Sequence, residues 1–305
     1  MTYRSYRRHL TGAIALAALI VNVPTTATAQ PTPQQSQIVS GIGEAVKALD
    51  TVPRLKKMSP DAKKQLVEFI VGNTIFVLAH EMGHGLINEM NMPVLGREED
   101  AADSFAIVTG LKMGTGFSER VLMEGAKGLV LSARRDKKQG NALAFSDEHG
   151  LDLQRAYTVV CYVFGSDPEK YKQLAADTKL PEGRQAACPY EWKNVAWSWD
   201  EMLKTHLRSA DQPKVAIKVE YEENKKYAAQ EQVLRHMRLL EAFAEHFGDR
   251  YVWPNPFTIE ARSCGEPNAR WKQRVLTLCY ELASEFTELF QGYSKSLPRK
   301  YRTAR

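Results

Sequence analysis

The chain is poor in cysteine, with four in 305 residues, at 161, 188, 264 and 279, and none in a C-x-x-C pair. A cysteine-built zinc site therefore has little support. It also lacks a basic body. Arg4, Arg7 and Arg8 fall in the first 29 residues, and Lys295, Arg299, Lys300, Arg302 and Arg305 in the tail. Setting the three aside takes the formal net charge from +5 to +2, and setting the tail aside leaves −3. Nucleic acid is not an expected partner, and the tail reads as solvated and frayed. Near the start, the apolar run from Leu10 to Val23 is too short to span a bilayer comfortably. With arginines before it and Ala27-Thr28-Ala29 after it, this run reads as a signal peptide over 1–29. A retained anchor is the alternative, and Arg7-Arg8 leaves both the general and the twin-arginine export routes open. The expectation is a secreted or periplasmic protein without a stable membrane anchor after cleavage.

What is present centres on His80-Glu81-Met82-Gly83-His84, an H-E-x-x-H within an apolar, helix-forming run. Positions i and i+4 share a helix face, about 5–6 Å apart at Cβ. Two imidazoles so placed can close on one Zn²⁺ at roughly 2.0–2.1 Å. Glu81 is too near along the helix to be a ligand, but can orient and deprotonate a metal-activated water. Ile75, Phe76, Leu78, Ala79, Met82, Leu86 and Ile87 give the segment a broad apolar face, which a merely solvated helix would lack. Gly83 and Gly85 cost such a helix about 1 kcal/mol each relative to alanine, which calls for a packing or metal-access reason.

Pro93 stops that helix, and Gly96-Arg-Glu-Glu-Asp-Ala-Ala-Asp103 opens another. Glu99 and Asp103 are four apart and share a face. Glu99 is the candidate third ligand of a His2Glu site with an open fourth position, and Asp103 the candidate acceptor behind a ligating histidine. The plainer alternative is that Glu98, Glu99 and Asp100 only offset the dipole of a helix N-terminus.

With its H-E-M-G-H and P-V-L-G-R-E-E-D-A-A-D motifs, the chain resembles an exported bacterial family known only by the description metallopeptidase. Its layout is similar to that of gluzincins, in which a Glu-x-x-x-Asp after the zinc helix supplies the third ligand and its supporting acid. The resemblance implies that His80, His84 and Glu99 hold the metal, that Glu81 is the base and that Asp103 lies behind the ligands. It extends to Cys161-Tyr-Val-Phe-Gly-Ser-Asp-Pro and Cys279-Tyr-Glu-Leu, so it covers most of the mature chain. It implies a zincin-like metallopeptidase fold and no particular substrate. The fourteen residues 85–98 between His84 and Glu99 are fewer than in many gluzincins. The metzincin pattern fails, because Ile87 and Met90 stand where it needs a glycine and a third histidine.

The layout expected is mostly helical α+β. After the signal come a lead-in over 30–58, a zinc-binding lobe over 59–210, a C-terminal α/β lobe over 211–292 and a basic tail over 293–305. Ser59-Pro60-Asp61 opens a helix to about Val71, and Gly72-Asn73 breaks it so that Asn73 caps the zinc helix. Helices are expected at about 97–112, 118–135, 147–164, 167–176 and 185–208, with Pro189 as an alternative start for the last. Val215 to Tyr221 alternates as a half-buried strand. A helix at about 226–247, a strand near 257–262 and a final helix at about 272–290 follow.

An even cysteine count in an exported chain suggests two disulfides, with three pairings open. Local pairing, Cys161–Cys188 and Cys264–Cys279, keeps each bond within one lobe and would stabilise by about 3 kcal/mol each on chain-entropy grounds. Asp147-Glu148-His149 reads as a helix start, where His149 is either a cap-region residue or a cleft residue that steadies an oxyanion. Trp192, Trp197 and Trp199 read as core. The function expected is zinc-dependent hydrolysis of a peptide or protein in the cell envelope or outside the cell. The alternatives are an inactive zinc-containing binding protein and a structural module whose metal ties two helices. A protein side chain in the fourth ligand position would separate these from the enzyme.

Overall fold

A 30-residue helix is the longest element of the molecule, and four other helices and the edge hairpin of a small sheet pack against it. The computed structural model describes residues 41–296, so the expected signal peptide and most of the basic tail lie outside the described residues. The helices are α1 (Ile42–Leu49), α2 (Pro60–Glu89), α3 (Glu98–Met113), α4 (Gly116–Gln139), α5 (Asp152–Ser166), α6 (Lys172–Asp177) and α7 (Glu182–Leu203). Strand β1 (Ile217–Tyr221), α8 (Ala228–His236), α9 (Leu239–Arg250), β2 (Phe257–Arg262), β3 (Ala269–Lys272), β4 (Val275–Cys279) and α10 (Tyr280–Ser296) complete an α+β fold.

Helix α2 starts as its sequence dictates. Ser59 Oγ accepts the Ala62 N–H at 3.2 Å, with Pro60 at the first helical position. The expected break at Gly72-Asn73 does not occur, and the helix runs through to Glu89. Asn73 donates its amide to the Phe69 carbonyl at 2.8 Å, which keeps its side chain inside the helical ladder. Gly72 has a packing reason, because a Cβ there would lie 2.6 Å from Glu124 of α4. The helix is long and apolar because most of it is buried.

The sheet has the order β1-β2-β4-β3, with β1, β2 and β4 parallel and β3 antiparallel on the edge. Inward residues of β2 and β4, among them Ile259, Ala261, Leu276 and Leu278, are fully buried. The β3–β4 hairpin occupies the start of what reads as one helix over 272–290; that helix begins only at Tyr280. Gln273 and Arg274 close the hairpin, both with positive φ of 52° and 63°. A two-residue turn of this kind is ordinarily signalled by Asn-Gly, so Gln-Arg leaves no trace in the sequence.

Other expected bounds shift as well. Arg238, at φ 49°, divides the 226–247 helix into α8 and α9. Residues 147–150 are irregular and α5 begins at Asp152. Asp167 ends α5 and accepts the Lys170 N–H in a turn, so α6 starts at Lys172. Helix α7 passes through Pro189 without ending there. Beside that proline, Cys188 is bonded to Cys161 of α5, which holds the kink-prone turn in place. The second disulfide joins Cys264 and Cys279. Of the three tryptophans on α7, Trp199 is buried, with its Nε1 on Ser104 Oγ at 2.8 Å, whereas Trp197 is 64% exposed.

Candidate metal centre

The turn between α2 and α3 sets up the site. Met92 N–H reaches the Ile87 carbonyl at 2.9 Å, Asn91 takes a left-handed φ of 49°, and Pro93 follows. This is a Schellman stop with asparagine in the glycine position. The chain reverses and α3 packs on α2 at Gly83, where a Cβ would lie 3.0 Å from the Ala102 Cα. Gly85 accommodates the Trp271 ring of β3, which would be 2.8 Å from a Cβ there. Both glycines thus serve close packing around the histidines.

This approach brings His80 and His84 against Glu99. His80 Nε2 and His84 Nε2 are 3.2 Å apart, and Glu99 Oε2 is 3.1 Å from the first and 3.4 Å from the second. His149, from the irregular stretch before α5, places its Nε2 2.7 Å from the same oxygen. Glu99 Oε2 is buried and faces three ring nitrogens at ion-pair distance. A tetrahedral ion with bonds of about 2.0–2.1 Å has ligand atoms about 3.3 Å apart. The three contacts among His80, His84 and Glu99 match that edge. One buried carboxylate oxygen facing two ring nitrogens at this spacing fits a metal held by these three donors. His80, Glu99 and His149 also form a group able to hold a metal, with ligand atoms all within 4.8 Å of one another.

Carboxylates stand behind the histidines. Asp103 Oδ1 meets His80 Nδ1 at 2.8 Å, and Glu98 Oε1 meets His84 Nδ1 at 2.7 Å. Asp103 is itself gripped by Arg155, whose Nε and a terminal nitrogen donate at 2.7 and 2.9 Å. Such a fork fixes both the carboxylate and, through it, the imidazole. Sequence reading reached Asp103 but not Glu98, Arg155 or Trp271. Glu98 was visible only as a first-turn acid, and Arg155, 52 residues from Asp103, carried no local signal.

The charges follow from these neighbours. Burial opposes a charged His80, but Asp103 and Glu99 outweigh it and push its pKa up to about 9. For His84, burial again opposes charge and Glu99 with Glu98 prevails, raising its pKa. His149 is raised chiefly by Glu99. Burial would raise Glu99, yet the rings of His149, His80 and His84 hold it far below the ordinary carboxylate range. Asp103 is likewise held down by Arg155 and His80 against its burial. Glu81 moves the other way, because burial raises it more than His80 and His84 lower it.

Glu81 is buried, and its Oε2 accepts the Trp271 N–H of β3 at 2.9 Å. It lines a cavity of about 720 Å³ together with His84, Glu99, His149 and the β3 residues Arg270 and Trp271. The H-E-x-x-H face, the α3 acids, the edge strand and the pre-α5 loop therefore open onto one space.

Residues 32–203 and 220–304 match the family model DUF4344, whose description reads "Putative metallopeptidase". The match covers most of the chain, and the protein belongs to this metallopeptidase family. No curated protein and no solved structure matches the chain.

Proposed function

We propose that the protein is an exported zinc metallopeptidase of gluzincin type and zincin-like fold. The observation that carries this reading is the convergence of His80, His84 and Glu99 on one buried point, with Glu81 beside it at the cavity wall. Two histidines and one carboxylate are the donor set of a catalytic zinc. Zinc held by these three residues would supply Lewis acidity toward a carbonyl and lower the pKa of water toward about 7.

The protein's own groups do the rest. Asp103, locked by Arg155, and Glu98 orient the two imidazoles and keep each Nε2 turned inward. Trp271 N–H holds Glu81 Oε2, so the other oxygen faces the work of taking a proton from water and passing it to the leaving amine. Strand β3 is the sheet edge and borders the cavity, so an extended peptide can lie along it. In this reading His149, drawn off Glu99, faces the substrate carbonyl and steadies the developing oxyanion. The two disulfides are compatible with an exported protein, and the substrate is a peptide or protein outside the cytoplasm. We keep the 59–210 zinc lobe and 211–292 α/β lobe as the proposed division of labour, the first supplying the ligands and the second the edge strand.

One contact favours a second reading. With His149 Nε2 at 2.7 Å from Glu99 Oε2, a further side chain reaches the ligand group. A permanently closed site would make this an inactive zinc-containing envelope binding protein. Glu81→Gln separates the two. The variant keeps size and hydrogen bonding, so zinc content and fold should survive, while turnover on a diverse peptide library should drop at least about 10²-fold. Zinc retained with an unchanged rate contradicts the base role. No turnover by the wild type on any peptide moves the binding protein ahead.

A further inference from the structure

We infer that His149 is a fourth metal ligand in the resting protein, carried by a loop whose one hold on the centre is that histidine. The inference deepens the metal-centre reading above and rests on it.

The first ground is a repeated arrangement. His80 and His84 turn Nε2 inward and set a carboxylate, Asp103 or Glu98, behind Nδ1. His149 repeats this arrangement more loosely, with Nε2 nearer Glu99, at 2.7 Å, and Nδ1 farther from its acid than in the other two. Its Nε2 faces Glu99 and its Nδ1 lies 3.3 Å from Asp147 Oδ1, which also accepts the His149 N–H at 2.9 Å. Its ring stacks on His80 with centroids 5.8 Å apart. A histidine that merely began a helix would need neither the inward nitrogen nor the acid behind it, whereas ligating histidines almost always have such an outer partner.

The second ground is how the loop is held. Gly140, at φ 76°, ends α4 in the left-handed region that suits glycine, and residues 141–148 are all exposed. Leu143 is 64% and Phe145 80% exposed, so no apolar side chain anchors the segment. Its hydrogen bonds are internal, Phe145 N–H to Leu143 O and Asp147 N–H to Ala144 O, or run back from Asn141 to the end of α4. Among the described residues, the hydrogen bond or ion pair that ties 141–150 to anything beyond its flanking helices is His149–Glu99. Four protein ligands close a zinc site, and an open position makes it catalytic. Withdrawal of this weakly anchored loop converts the first state into the second, so His149 regulates access to the centre.

The test uses the full mature protein loaded with cobalt(II) in place of zinc, with azide as a small anion that binds only at an open position. The visible spectrum reports coordination without any substrate. Wild type should bind azide weakly, and His149→Ala should bind it at least about 10-fold more tightly and lose metal to a chelator at least about 10-fold more readily, since even outer partners of a ligand are worth 10–100-fold. Far-UV circular dichroism checks that the variant is folded. Equal azide affinity and equal metal retention in the two proteins overturn the inference while leaving the centre itself standing. Metal retained by His80→Ala overturns the centre and this inference with it.

Discussion

Two faces of helix α2 show what surrounds a histidine and what that does to it. On one, His80 is buried beside Asp103 and Glu99 and its pKa rises to about 9. Against another face, where Ile75, Phe76 and Ala79 line an apolar cavity of about 580 Å³, His246 of α9 sits with Phe243 and Phe247. There burial, helped by Arg250, pushes its pKa down to about 4, and its Nε2 is buried without a hydrogen bond. Desolvation acts on both rings in the same direction. The carboxylates decide the outcome: Asp103 and Glu99 outweigh burial at His80, whereas Asp249 does not outweigh it at His246.

Removing the acids around His80 and His84 one at a time should have the largest effect. Glu99→Ala deletes the oxygen on which three rings converge and should abolish metal retention, read by elemental analysis after dialysis. Glu98→Ala and Asp103→Asn remove only the supports and should weaken metal affinity about 10–100-fold. Equal, small effects at all three positions would return these acids to the role of helix-dipole partners.

The smaller effect belongs to the other face. His246 has a folded pKa of about 4 against about 6.5 when unfolded, so the unfolded chain binds the extra proton between those values. Its contribution to stability is complete above about pH 6.5 and is lost as the pH falls toward 4, by about 2–3 kcal/mol. Denaturant titrations of wild type and His246→Leu at pH 7 and pH 4 check this. The variant should lose less stability on acidification by that amount, and an identical loss would show that His246 is hydrated.

Much of this could be read in the sequence, and what could not has identifiable causes. His80, Glu81, His84, Glu99 and Asp103 lie within 24 residues on two neighbouring helices, where i, i+4 spacing reports directly on shared faces. Cysteine spacing and local pairing likewise suggested the two bonds that the structure contains. Long-range partners were out of reach: Arg155 meets Asp103 and Trp271 meets Glu81 only because the tertiary fold brings them there. Gly72 and Asn73 looked like a break because their packing against α4 is invisible in one segment. The β3–β4 hairpin hid behind an apolar stretch with an unmarked Gln-Arg turn, and with it went the cavity's second wall.

His80 and His84 are proposed to belong to one metal centre. Elemental analysis of the purified mature protein, beside the His80→Ala/His84→Ala double variant, tests it most directly. One zinc per wild-type chain and none in a folded double variant is the predicted result. Stoichiometric metal in the double variant, or a wild type that stays metal-free after incubation with zinc, would contradict it.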